Sequence, residues 1–212
     1  MSRALALALL GLVLALPAGC GGGGGSATDT PPRESVAHRR LMRLGASVFA
    51  QDCATCHPLL GRRNTAFHSD APALDLDQVE PARAYVAERV QSGGVGMGGF
   101  GFDPARFRAV VAYVTEVSGR RVAVPRLSAA ERAHGRALYD AQCARCHTLA
   151  GRAPTRPNPI WQATDFDHVR PSVAYVEQKV REGQREAMPS FRRRLTSAEI
   201  AAVARYLAAS AR

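Results

Sequence analysis

The stretch Cys53-Ala54-Thr55-Cys56-His57 returns in form as Cys143-Ala144-Arg145-Cys146-His147, ninety positions later. C-x-x-C-H is the attachment pattern of c-type haem. Its spacing has a mechanical reason. At the end of a helix, cysteines at i and i+3 lie on one face. Both thiols can then reach the two vinyl groups of one porphyrin and form thioethers. The histidine after the second cysteine falls under the iron as its proximal ligand. A lone C-x-x-C could instead be half of a zinc site or a thiol redox pair, and two copies could pool into one four-cysteine zinc site. The histidine after each copy, and the separate repeat around each, favour two covalently bound haem c groups. One is expected at Cys53, Cys56 and His57, the other at Cys143, Cys146 and His147.

The repeat extends well beyond the cysteines. Gly45 to Cys53 aligns with Gly135 to Cys143, Asp75 to Pro81 with Asp165 to Pro171, and Ala84-Tyr85-Val86 with Ala174-Tyr175-Val176. Each copy reads as three helices. Ser128 with Glu131, and Thr196 with Glu199, are capping boxes that start the first and last helices of the second copy. Asp103-Pro104 starts the last helix of the first copy. Pro81 and Pro171 are expected in the first turn of the middle helices, where proline is tolerated. No strand alternation competes with this pattern. Residues 58–80 and 148–170 are rich in Pro, Asp, Asn and Gly, and such long loops suit a compact domain only if they wrap a ligand. The fold class is therefore all-α, with one domain over residues 36–120 and a second over 121–212. Only 6% of residues are aromatic, which is thin for two small cores, and a covalent haem would staple each.

Four methionines are present, and two recur at matching places. Met97 and Met188 each lie in the loop before the last helix, and each precedes a phenylalanine by three residues (Phe100, Phe191). A thioether is a soft, neutral ligand that closes the sixth position of the iron. His57, Met97, His147 and Met188 are thus the expected iron ligands. His68 is the rival to Met97. A carbonyl of the proline loops, at Pro72 and at Pro157 or Pro159, is expected to hold the proximal imidazole. Trp161 is expected to pack near the second haem. His134 is expected on the surface.

The N-terminus reads as an export signal. Arg3 is followed by an apolar run from Leu5 to Leu16, too short to span a bilayer, and then by Pro17-Ala18-Gly19-Cys20. Residues 1–19 are the expected signal peptide, Cys20 the expected lipid attachment site, and residues 20–35 a flexible tether. The fifth cysteine is thereby accounted for, and none remains for a structural disulfide. The net charge is +10, and it lies mainly in the second copy: residues 121–212 carry 15 Arg and Lys179 against 8 acids. An acidic redox partner or anionic headgroups suit such a surface. Nucleic acid does not suit an exported haem protein.

On these residues each copy resembles the class I cytochrome c family: a helix with Gly and an aromatic, C-x-x-C-H, a proline loop, a helix, Met-x-x-Phe, and a final helix with Tyr. The resemblance covers residues 36–210 and is closest in Val180 to Gly183, Met188-Pro189-Ser190-Phe191 and Tyr206-Leu207. It implies two tandem domains, each of about three helices around one haem. It carries the family's ligand roles onto the eight residues named above. It also implies close crossings of the first and last helices, at Gly45 with Tyr113 and at Gly135 with Tyr206. The implied activity is single-electron transfer between extracytoplasmic respiratory partners by a membrane-tethered carrier rather than an enzyme. The rivals are a dihaem peroxidase or thiosulfate-oxidising enzyme, a haem subunit of a membrane oxidoreductase complex, and a structural zinc protein.

Overall fold

The computed structural model describes residues 35–61, 73–94, 96–120, 122–156, 163–184 and 187–211. The expected signal peptide and Cys20, with nearly all of the tether, lie outside these residues. So do His68, Pro72, Pro157, Pro159 and Trp161. Among the described residues the chain is all-α but for one two-stranded ladder. The order is α1 (Val36–Asp52), β1 (Val79–Pro81), α2 (Arg83–Ser92), α3 (Pro104–Val117), α4 (Ala129–Gln142), β2 (Val169–Pro171), α5 (Val173–Glu182) and α6 (Ser197–Ser210).

Local chemistry starts α3, α4 and α6 where the sequence signals them. The first backbone N–H groups of a helix have no partner within it, and a side-chain oxygen just before it supplies one. Ser35 accepts from the His38 N–H, and Asp103 accepts from Ala105 and Arg106 with Pro104 following as the first helical residue. Ser128 with Glu131 and Thr196 with Glu199 close reciprocal capping boxes on α4 and α6.

The first and last helices of each half cross, α1 on α3 and α4 on α6. Glycine makes the crossings possible. A Cβ on Gly45 would overlap the Ala109 carbonyl and Tyr113, and one on Gly135 would overlap Tyr206. An aromatic pair closes over each crossing, Phe49 with Tyr113 at 5.9 Å and Tyr139 with Tyr206 at 6.1 Å between ring centroids. The apolar faces behind the crossings are fully buried, with Val110 and Val114 in the first half and Ile200, Val203 and Leu207 in the second. Each such side chain stabilises the fold by about 1.5–3 kcal/mol.

Two expectations fail here. Pro81 and Pro171 do not open the middle helices, which begin at Arg83 and Val173 behind Ala82 and Ser172. The prolines instead end two short strands, and those strands pair with each other antiparallel. Proline has no N–H to give a ladder, so a strand end suits it. The register is Val79 with Pro171, Glu80 with Arg170 and Pro81 with Val169. Since the repeat offset is ninety, each position faces the copy of its own opposite number, with residue 80 on the axis. The contact is isologous, as in a two-fold dimer, but within one chain. It extends outward in matched pairs. Ala82 N–H donates to the His168 carbonyl and Ser172 N–H to the Gln78 carbonyl, each at 2.7 Å. On the axis, Arg170 Nη1 lies 2.8 Å from Glu80 Oε2.

Candidate functional site

Each C-x-x-C-H begins where a helix stops. Cys53 is the C-cap of α1 and Cys143 that of α4. The chain then turns tightly, with Cys56 and His57 N–H both donating to the Cys53 carbonyl at 3.0 Å, and Cys146 and His147 repeating this on Cys143. The turn holds two thiols and an imidazole together on one wall. The four C-x-x-C-H cysteines, His57, His147, Met97 and Met188 line a single cavity of about 650 Å³, whose remaining wall is mainly apolar and drawn from both halves. The structure therefore brings together all eight predicted haem residues.

The imidazoles are fixed and neutral. His57 Nδ1 donates to the Leu74 carbonyl at 3.0 Å, and His147 Nδ1 to the Thr164 carbonyl at the same distance. A carbonyl only accepts, so the proton is on Nδ1 and the Nε2 lone pair is left for a metal. Burial pushes both histidines below the ordinary histidine range, and the carbonyl bonds oppose this more weakly. The acceptors are not the prolines expected from the sequence. They lie two positions or more away, where the loop returns to the histidine.

The Cys53 and Cys143 thiols are also neutral. Burial, with Asp52 and Cys56 adding to it, pushes Cys53 up to about 11, and burial with Cys146 pushes Cys143 up to about 12. Reactive redox cysteines need a depressed pKa, so these surroundings speak against thiol chemistry and suit buried side chains held against a bound group. Nor do the cysteine pairs pool: among the described residues no cluster of three or more His, Cys, Asp or Glu side chains gathers to hold a bare metal ion.

The methionine loops hang from glycines. Gly93 and Gly183 end α2 and α5 at φ of 77° and 76°. A Cβ on either would strike the backbone of the methionine loop. The backbone then folds back, with Gly94 and Met97 exchanging N–H···O bonds, and Gln184 and Met188 doing the same. Thus glycine at the helix end sets the height at which each thioether meets the cavity.

One pair of residues was seen in the sequence only as part of the repeat. Asp77 accepts from the Leu60 and Gly61 N–H groups at 2.6 and 2.7 Å, and Asp167 accepts from Ala150 and Gly151 at 2.5 and 2.6 Å. Leu60 and Ala150 have φ of 58° and 56°, a left-handed conformation that costs a non-glycine residue roughly 1–2 kcal/mol. The carboxylate offsets that cost and ties the turn after C-x-x-C-H to the strand that follows the histidine's acceptor. Its signal was the matched Asp-x-Asp at Asp75-Asp77 and Asp165-Asp167. Replacing Asp167 with Ala is expected to cost about 1–3 kcal/mol, the loss of two charge-assisted bonds, read by urea titration. A change under about 0.5 kcal/mol would show that the turn holds itself.

The halves differ at buried contacts beside the histidine, one of them a hydrogen bond. Tyr139 Oη donates to the His147 carbonyl at 2.8 Å, whereas the matching residue in the first half, Phe49, has no hydroxyl. His134 is exposed on α4, as expected.

Two C-x-x-C-H repeats on an all-α scaffold define the class of tandem cytochrome c domains. Residues 40–114 and 130–207 both match the family model described as cytochrome C oxidase, cbb3-type, subunit III. The chain belongs to that family. No curated protein matches it. Among solved structures, a chain of the Kuenenia stuttgartiensis reducing HAO-like protein complex Kustc0457/Kustc0458 is similar at 17% identity, over 80% of this chain and 96% of that one, with a TM-score of 0.34. No described helix is long and apolar enough to cross a membrane.

Proposed function

We propose that this chain is an exported dihaem cytochrome c, tethered to a membrane through lipidated Cys20, that passes single electrons between extracytoplasmic redox proteins. One observation carries the reading: two matched sets, Cys53, Cys56, His57 and Met97, and Cys143, Cys146, His147 and Met188, line one apolar cavity. The donor set fits haem c. Each pair of thiols would form the thioethers, each neutral imidazole would give its Nε2, and each methionine sulfur would close the remaining position. Haem bound there supplies an iron that exchanges one electron between ferric and ferrous states. The protein supplies the rest: it fixes the imidazoles through Leu74 and Thr164, excludes water with buried valines and phenylalanines, and keeps the sites closed to added ligands. In this reading residues 36–120 and 121–212 are the two domains, and the basic second domain meets an acidic partner.

The family's description favours a second reading, in which the chain is the haem subunit of a larger membrane oxidase. Co-purification with other subunits in stoichiometric amount would support that, while a free chain that exchanges electrons in solution would support the shuttle.

The test is haem quantitation together with ferric and dithionite-reduced absorption spectra, with and without carbon monoxide. Two haems per chain, both low-spin and both unmoved by carbon monoxide, are the expected result. A site that is high-spin or binds carbon monoxide would mean an open iron, and a haem enzyme would replace the carrier.

A further inference from the structure

We propose that the second site, around Cys143, Cys146, His147 and Met188, holds an electron more tightly than the first, because this chain has made its wall more positive. The inference rests on the two-haem reading above and adds the order of the two sites.

The fully charged side chains on the cavity wall are Asp52 and Arg89 from the first half and Arg145, Lys179 and Arg194 from the second. The repeat shows how the halves came to differ. Arg89 matches Lys179, with equal charge. Asp52 matches Gln142, which also lines the wall but is neutral. Arg145 matches Thr55, which is exposed and off the wall. Arg194 belongs to Arg192-Arg193-Arg194-Leu195, the segment between Phe191 and Thr196. The first half has only Gly101-Phe102 in that place. All three departures add positive charge to the second side or remove negative charge from it, and none runs the other way.

The neighbours do not erase the difference. Asp52 is paired with Arg106 at 2.9 Å, so the first side is neutral on the wall and one charge positive with Arg106 included. On the second side, Lys179 lies over the Tyr175 ring and Arg194 over the Phe191 ring, at 5.4 and 5.8 Å. Among the described residues none of Arg145, Lys179 and Arg194 is in an ion pair with an acid, so no acid there cancels their charge.

The physical consequence has a definite sign. Reduction of ferric to ferrous iron removes one positive charge from a site. Positive neighbours repel that charge, so they favour the reduced form. An electron that enters at the first site and moves to the second oxidises the first iron and reduces the second, with no proton or other reactant required. Both sites open on one cavity, so the exchange needs no second molecule. A unit charge about 10 Å away changes such an equilibrium by roughly twofold in a water-like medium and by more than tenfold at a protein-like dielectric constant of about 20.

The experiment is a spectroelectrochemical titration of the haem-loaded full chain at low ionic strength, beside the same titration of Arg145→Thr with Arg194→Gln. Both residues are exposed, so the variant keeps the core. The wild-type protein is expected to show two one-electron midpoints. The double variant is expected to lower the upper midpoint, by about fivefold or more in the equilibrium constant, and to leave the lower one in place. As the converse, Thr55→Arg is expected to raise the lower midpoint. If the double variant shifts the lower midpoint instead, the second site is the low-potential one and the proposal is wrong. If neither midpoint moves, the arginines are screened and it is equally wrong. A haem count other than two per chain would be a failure of the dihaem reading itself, and is seen before any titration.

Discussion

Replacing Cys143 and Cys146 together with serine is expected to halve the covalent haem content while leaving the first site loaded. Each cysteine pair sits at its own helix end, and each histidine is held by a carbonyl of its own half, His57 by Leu74 and His147 by Thr164. In the proposed reading, each cysteine pair and its histidine thus belong to the same half. The measurement is haem per chain after denaturation, which removes any haem not bound by thioether. One haem per chain is the expected value. The fold of the second half should suffer as well, since Cys143 belongs to the buried cluster with Tyr139, Phe166 and Leu207. Full retention of two haems after denaturation would refute the assignment of these cysteines. Loss of both would show that the halves mature only together.

Gly135→Val should be strongly destabilising. Its hydrogen faces the Tyr206 side chain, and the space for a Cβ is already filled. Valine adds three carbons where none fits. To admit them, α4 and α6 must separate and unpack Tyr139, Val203 and Leu207, all buried at 7% exposure or less. Overpacking of this kind costs at least about 3 kcal/mol where neither helix can yield. In a chain of this size that is a fall in Tm of roughly 6–12 °C. Gly135→Ala tests the same contact with one carbon and should fall in between. A valine variant that melts within about 2 °C of the parent would mean that the crossing is looser than the structure has it.

What could be read from the sequence, and what could not, divides by the reach of the interaction. The starts of α3, α4 and α6 were legible because a cap is settled within four residues, at Asp103, Ser128 and Thr196. The glycine crossings came through the family resemblance, and the methionines through their recurrence at matching places. The crossings stand where the resemblance put them, and both methionines line the cavity. Pro81 and Pro171 were misread because a proline before a helical pattern looks the same whether it opens a helix or ends a strand. The partner strand is ninety residues away and leaves no local mark. The histidine acceptors were missed for another reason. Leu74 and Thr164 act through their carbonyls, and a backbone carbonyl says nothing about itself in the residue type. Asp77 and Asp167 stood in plain view as a repeated Asp-x-Asp, but their targets are N–H groups of a turn seventeen residues earlier.

The strand pair on the axis also bears on why such a protein is one chain and not two copies of a shorter one. In a symmetric dimer, a residue on the two-fold axis meets itself. A glutamate there would face a glutamate, and an arginine an arginine, each with a repulsion that symmetry forbids it to escape. Joining the copies end to end removes that rule. Position 80 can be glutamate while position 170 is arginine, and a clash becomes an ion pair at 2.8 Å. The same freedom lets one half gather more positive charge than the other, so covalent linkage is what allows two like halves to become unlike.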